Sequence, residues 1–173
     1  MRGPLAGRDH DAAYVEFVTA RQDRLLRIAY AVCGDANRAE DVLQEALVKL
    51  YLAWPRVRKE GSEEAYARRI IVRADLDDRR RPWRRKRVLV PDGDLERVAA
   101  RTALGTEERS ALFDALQELP PMQRRTVVLR HWLGLSIEET AAELGISIGT
   151  VKSHSSRAVA ALRGLLAEEQ VHR

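Results

Sequence analysis

Residues Ser136 to Arg163 read SIEETAAELGISIGTVKSHSSRAVAALR, and this stretch decides what kind of fold the chain can have. It spells a helix, a tight turn and a second helix. Ser136 is an N-cap residue, and Glu139 stands at the capping-box spacing from it. Ala141, Gly145 and Val151 then fall where such a pair of helices needs them. A small residue suits the crossing point, a glycine suits the turn because positive φ carries no Cβ penalty, and a β-branched residue anchors the second helix inward. Leu144 and Ile146 cover the flanks of the turn, and Ser147 caps the second helix. The first helix is acidic (Glu138, Glu139, Glu143) and the second basic (Lys152, Arg157, Arg163), with no acidic residue from Ser147 to Arg163. That polarity fits a recognition helix entering a major groove. The alternative is an ordinary αα-hairpin with a glycine turn, but it does not require the constrained positions, the caps and the charge asymmetry to coincide.

Composition sets the outer bounds. The length of 173 residues allows one domain or two small ones. The net charge is only +4, but arginine far outnumbers lysine, which supplies planar, bidentate phosphate donors. Such a basic balance suits nucleic acid or another anionic surface. Cys33 is the one cysteine, so no intrachain disulfide and no cysteine-based zinc site can form. The histidines (His10, His131, His154, His172) show no ligand spacing, and no metal or other cofactor is expected. The chain has no apolar run of membrane-spanning length and no signal-peptide core after Met1, so it is expected in the cytoplasm, without membrane insertion.

Upstream, the pattern is helical throughout and an all-α fold is expected. Residues 1–10 are rich in Gly, Pro and Arg and read as a flexible tail. From Asp11 a helix begins, with Leu25, Ile28, Ala29 and Val32 on one buried face and Gly34 at its end. Asp35 caps a second helix from Ala36 to Trp54, whose core stripe is Ala39, Leu43, Ala46, Leu47, Leu50 and Trp54. A second face carries Asp41, Gln44, Glu45, Val48 and Leu52. Charges beside exposed aliphatics suit a protein-docking surface, while a solvated face with two incidental apolar residues would read the same way. Pro55 is expected to stop this helix and open a basic loop to Ser62.

Ser62 caps a third helix with Ala67, Ile70, Ile71 and Ala74 buried and Arg68, Arg69, Arg73, Arg79, Arg80 and Arg81 outside. Asp75, Asp77 and Asp78 are placed to pair with arginines one turn away. The run RRRPWRRKR, Arg79 to Arg87, holds seven Arg or Lys in nine residues around Trp83, a plausible surface for phosphates and a stacked base. Val88 to Thr106 reads as a linker. Thr106 then caps a helix through Leu119, Pro120-Pro121 breaks it, and a short helix from Gln123 to Leu133 leads into the helix-turn-helix.

In this order, AEDVLQEALVKLYLAW (Ala39 to Trp54), AYARRIIVRADLDDRRR (Ala65 to Arg81) and LQELPPMQRRTVVLRHWLGLSIEETAAELGISIGTVKSHSSRAVAALR resemble the bacterial RNA polymerase sigma factors of the extracytoplasmic-function type, in the sigma-70 family. The resemblance implies two small helical domains joined by a linker. These are a region 2-like bundle over 11–87 and a region 4-like domain over 107–173, with the linker at 88–106 and the helix-turn-helix at 136–163. It implies core RNA polymerase (β′ clamp helices and β flap) and promoter DNA as partners, and allows an anti-sigma factor as a third. The second helix would then dock on the polymerase through Asp41, Gln44, Glu45 and Val48. The third helix and the Pro55 to Ser62 loop would open the −10 element, with Arg68, Arg69, Arg73 and Arg80 on phosphates or bases. Unstacking a base costs a few kcal/mol, which a pocket and phosphate contacts can offset. The family's usual asparagine is replaced by Arg73, which leaves the −10 letters open. The −35 element would be read by Ser147, Thr150, Lys152, Ser153, Ser156 and Arg157. His154 and Ser156 replace an arginine and a larger residue common in the family.

Two other classes compete with a sigma factor. A helix-turn-helix regulator would bind an operator without polymerase. A DNA-acting enzyme would need a nucleophile or carboxylate cluster, and Asp75, Asp77 and Asp78 do not converge on one helical face, so no enzyme is expected. If Arg157 grips the −35 duplex, Arg157→Ala should weaken that binding by about 1–3 kcal/mol in a titration with duplex DNA; unchanged affinity would count against the assignment.

Overall fold

The computed structural model describes residues 4–80 and 107–171. Among these residues the chain is helical, with no strand. Helix α1 is Pro4–Cys33, α2 is Ala36–Glu60 and α3 is Glu63–Arg80. After the undescribed stretch come α4 (Glu107–Glu118), α5 (Pro121–Val127), a π-helical turn (Val128–Trp132), α6 (Ile137–Leu144) and α7 (Ile148–Val171). The linker at 88–106, the Thr106 cap and the basic run from Arg81 onward lie outside the described residues.

Helices α1, α2 and α3 form the first module. Its core is Leu25 and Ala29 of α1, Ala39, Val42, Leu43, Ala46 and Leu50 of α2, and Ala67 and Ile71 of α3. These positions keep the three- and four-residue rhythm that places side chains on one helical face. Asp35 caps α2, its carboxylate accepting from the Arg38 backbone N–H at 2.7 Å. Helix α1 begins at Pro4, so part of the expected tail at residues 1–10 is helix. Proline is tolerated in a first helical turn, where its missing N–H is not needed. The residues that follow are fastened to α2. Tyr51 donates its hydroxyl to Asp11 at 2.8 Å and meets the His10 ring edge-on at 5.4 Å.

Proline 55 does not stop α2, which runs on to Glu60 and ends at Gly61 (φ 64°). Packing explains the difference. An internal proline costs about 3 kcal/mol, but Trp54 and Val57, on either side of it, are buried. Burying side chains of this size recovers about 1.5–3 kcal/mol each. Tyr14 and Phe17 pack their rings on Trp54, and Arg58 lies 5.7 Å over it. The expected Pro55 to Ser62 loop therefore shrinks to Gly61 and Ser62.

The second module wraps α4, α5 and α6 around α7. Phe113, Leu116, Val128, Leu129, Leu144, Ala158 and Leu162 form its core. That cluster does not stop at the module's edge, because Ile28, Ala31, Val32 and Val72 of the first module belong to it. The short helix expected over Gln123 to Leu133 is α5 followed by the π turn, in which the Leu133 N–H reaches back to the Val128 carbonyl. The helix-turn-helix has its expected caps. The Glu139 N–H donates to Ser136 Oγ at 3.0 Å, and the Ser136 N–H to Glu139 Oε2 at 2.7 Å. Gly145 turns the chain at φ 64°, and Ala141, Leu144 and Val151 are buried. The second helix continues past Arg163 to Val171.

Hydrogen bonds from the Ser136 backbone and hydroxyl hold the Glu139 carboxyl below its ordinary range, ahead of a smaller contribution from Arg68. A lowered folded-state pKa stabilises above the unfolded value and is lost as pH falls through the folded one. Ser136→Ala should therefore cost about 1 kcal/mol in urea unfolding at neutral pH, and Glu139→Gln should remove part of the protein's acid sensitivity below the ordinary carboxylate range. Pro55→Ala should raise stability by up to about 3 kcal/mol, and Val57→Ala should lower it by about 2 kcal/mol. A solvated loop at these positions would leave both variants near neutral in the same urea titration.

Candidate nucleic-acid and protein-docking surfaces

The recognition helix α7 is anchored on one side and open on the other. Val151 and Ala158 are completely buried, while Gly149, Lys152, Ser156, Arg157 and Ala160 are exposed. Ser147, just before the helix, accepts from the Thr150 N–H at 3.1 Å, which fixes the first turn. Thr150 and Ser153 are half-buried on the flank of the open face. Of the expected −35 residues, Ser147, Lys152, Ser156 and Arg157 thus share an exposed surface with two cations, and Thr150 and Ser153 border it. His154 is half-buried, with Nδ1 shut from solvent and unpartnered, which fits packing on a neighbouring helix better than DNA contact. His131 of the π turn sits 2.9 Å from Ser155 Oγ and fastens α7 from behind.

The outer face of α2 is solvent-exposed where the docking residues were expected. Asp41, Gln44 and Val48 are exposed, and Glu45 is half-buried and paired with Lys49 at 2.6 Å. Leu52 is 76% exposed and Val48 60%, with Val15 of α1 at 59%. Carboxylates and exposed aliphatic side chains thus lie together on the solvent side of α2, opposite its buried face.

Helix α3 is where the structure departs most from the sequence pattern. Arg69 Nε donates to Glu143 Oε1 of α6 at 2.9 Å, and Arg73 Nε lies 3.9 Å from Glu143 Oε2. Arg68 acts electrostatically on Glu139, one turn earlier on the same helix. The arginines expected on −10 DNA therefore face the acidic first helix of the helix-turn-helix. The Arg80 side chain lies outside the described residues.

Asp75 finds a partner beyond its own helix. It accepts from Arg125 Nε of α5 at 2.7 Å, and Arg125 Nη2 closes on the same oxygen. Both side chains are almost fully buried. Removing one partner of such a pair costs about 3–5 kcal/mol, because the other charge is stranded away from water. The preceding residue, Arg124, donates to the Cys33 carbonyl at 3.0 Å and the Val32 carbonyl at 3.4 Å. These are end-of-helix carbonyls with no partner in α1, at the negative end of its dipole. Gly34 makes room for this approach, since a Cβ there would lie 2.5 Å from Arg124 Nη2. Burial, and then the Asp75 carboxylate, push the Cys33 thiol well up, so it packs as a neutral group.

Sequence reasoning missed Asp75, Arg124 and Arg125 as a group. Local spacing carried no signal of it, because the unbroken burial of residues 124–129 is a product of docking. A helix with no solvent face must find partners for its arginines elsewhere in the fold. Among the described residues no cluster could hold a metal ion, and no helix is long and apolar enough to cross a membrane.

Comparison with known proteins agrees with this arrangement. The Sigma-70 region 2 model matches residues 17–85 and the Sigma-70 region 4 model matches residues 109–162. The RNA polymerase sigma-E factor of Streptomyces avermitilis is 41% identical over 157 residues, covering 87% of this chain and 83% of the relative. The ECF RNA polymerase sigma factor SigM of Mycobacterium tuberculosis is 34% identical over 154 residues, covering 89% and 77%. The sigma factor RpoE of Bartonella quintana, solved with the anti-sigma factor NepR, shares the fold with a TM-score of 0.61 at 22% identity, over 90% of this chain and 97% of that one. With both modules matched in order and these relatives matched over most of their length, the chain belongs to the extracytoplasmic-function group of the sigma-70 family of RNA polymerase sigma factors.

Proposed function

We propose that this sigma factor works in the cytoplasm by three non-covalent grips. The face of α2 bearing Asp41, Gln44, Glu45 and Val48 docks on core RNA polymerase. The arginines of α3 (Arg68, Arg69, Arg73 and Arg80) engage and open the −10 element. Ser147, Thr150, Lys152, Ser153, Ser156 and Arg157 read the −35 element in duplex form. The first grip and the −10 work belong to residues 11–87, and the −35 reading to residues 107–173. An anti-sigma factor is a further candidate partner.

The observation that carries this reading is the α2 face, where Val48 and Leu52 stand exposed beside Asp41 and Gln44. An operator-binding regulator has no need of an acidic, aliphatic helix face remote from its helix-turn-helix. Carboxylates interleaved with aliphatics complement a basic, partly apolar coiled coil, where apolar contact supplies affinity and charge sets register. On the DNA side, Lys152 and Arg157 supply cations on a face of small residues that lets the helix sit close to the groove.

Run-off transcription with purified core polymerase on a randomised promoter library tests the proposal. Start sites that depend on this chain are expected. Leu52→Asp and Asp41→Arg should reduce co-purification with core polymerase by about tenfold, equivalent to about 1.4 kcal/mol each, with the helical signal unchanged. Absence of chain-dependent start sites would contradict the reading.

A further inference from the structure

A cavity of about 490 Å³ opens beside α1, and none of the residues assigned to polymerase or promoter DNA lines it. Much of its wall is apolar and buried, from Phe113 and Leu116 of α4, Val128 of the π turn and Leu162 of α7. Two further lining residues stay in water, with Leu112 41% exposed and Trp132 39%. A hollow of this size leaves one side of these groups without van der Waals partners. Cavities that hold small ligands run from about 300 to about 1,000 Å³, and are walled mostly by apolar and aromatic side chains with a few placed polar groups.

The polar part of the lining carries one sign of charge. It consists of Arg24 and Arg27 of α1 and His131 of the π turn, and among the described residues no carboxylate lines the cavity. Arg24 gives its Nε to Glu64 at 2.7 Å in an exposed pair. A guanidinium has five N–H donors in a planar fork, which leaves the Nη groups to meet a carboxylate. The apolar part is aromatic at its centre. Phe113 is stacked on Tyr30 at 5.9 Å and met edge-on by Trp132 at 5.7 Å. A further flat ring extends such an array, since aromatic groups favour offset and edge-on contacts. Val128, His131 and Trp132 all come from the π turn, a local geometry that is rare and frequent at functional sites.

We propose that this cavity binds a small aryl carboxylate, with its ring against Phe113, Val128 and Trp132 and its carboxylate at Arg24 and His131. At about 30 Å³ per heavy atom, the share of a water molecule in the liquid, the space holds on the order of 15 heavy atoms, the size of a naphthoate. The Arg24–Glu64 pair is exposed and therefore weakly held, so an incoming carboxylate competes with Glu64 for the guanidinium.

Titration calorimetry of the full chain with 2-naphthoate, and with the neutral isostere 2-naphthamide, tests the site. 2-Naphthoate should bind one to one with a dissociation constant below about 1 mM, and 2-naphthamide at least about threefold more weakly. Arg24→Gln should weaken 2-naphthoate by about three- to tenfold and leave 2-naphthamide unchanged, a split that a structural role for the Arg24–Glu64 pair does not produce. Leu112→Trp, which fills the cavity from its exposed side, should weaken both ligands about tenfold or more. Equal affinity of the two ligands for the parent chain would overturn the proposal, and so would parent-like binding in a folded Leu112→Trp protein. Absence of binding to the parent chain overturns it as well, the result expected where residues 81–106 or a second copy of the chain already covers the cavity. If Leu112→Trp loses its helical signal, Arg24→Gln decides, and a 2-naphthoate affinity equal to the parent's overturns the site.

Discussion

A carboxylate on α3 and a guanidinium on α5, both shut from water, join the halves of this molecule. Neither charge can be left alone in an apolar seam, so Asp75 and Arg125 hold the modules in one register. The rest of the seam follows from that register. Arg124 is delivered to the bare carbonyls that end α1, Gly34 gives it room, and Val72 joins Phe113 and Leu116 in a shared apolar cluster. Within two turns of Asp75 along α3 the same register brings Glu143 against Arg69 and Arg73. Two modules separated in sequence by a linker thus share one interior.

Elements defined by short-range chemistry were legible in the amino-acid sequence. The Ser136–Glu139 capping box, the Asp35 cap, the Gly145 turn and the inward Val151 depend on neighbours within one turn or two, and spacing alone locates them. The outer face of α2 was half legible, since Val48 and Leu52 stand out there but spacing does not say what covers them. Two features were not legible. Pro55 sits inside α2 because tertiary burial of Trp54 and Val57 outweighs a local preference. Asp75 pairs with Arg125 across the seam, because docking offers a buried partner that spacing along its own helix cannot reveal.

The same residues look different once the seam is considered. A row of arginines on α3 and an acidic stripe on α6 read separately as a DNA surface and as a solvated helix face. Brought together, they neutralise each other, and the charge asymmetry that marks the helix-turn-helix as a DNA reader also supplies its counterweight. The acidic first helix leaves the recognition helix as the basic face and lends its carboxylates to the neighbouring module.

The most direct measurement is the distance between the modules with and without the Asp75–Arg125 pair. Fluorophores on Asn37→Cys and Ala167→Cys, in a Cys33→Ala background, place one label at the start of α2 and one near the end of α7, both at exposed positions. Energy transfer should be high in the free chain. It should fall in an Asp75→Asn variant that keeps its helical signal, because the modules lose the buried ion pair that joins them. Equal transfer in the two proteins would contradict the account that this pair holds the modules in register.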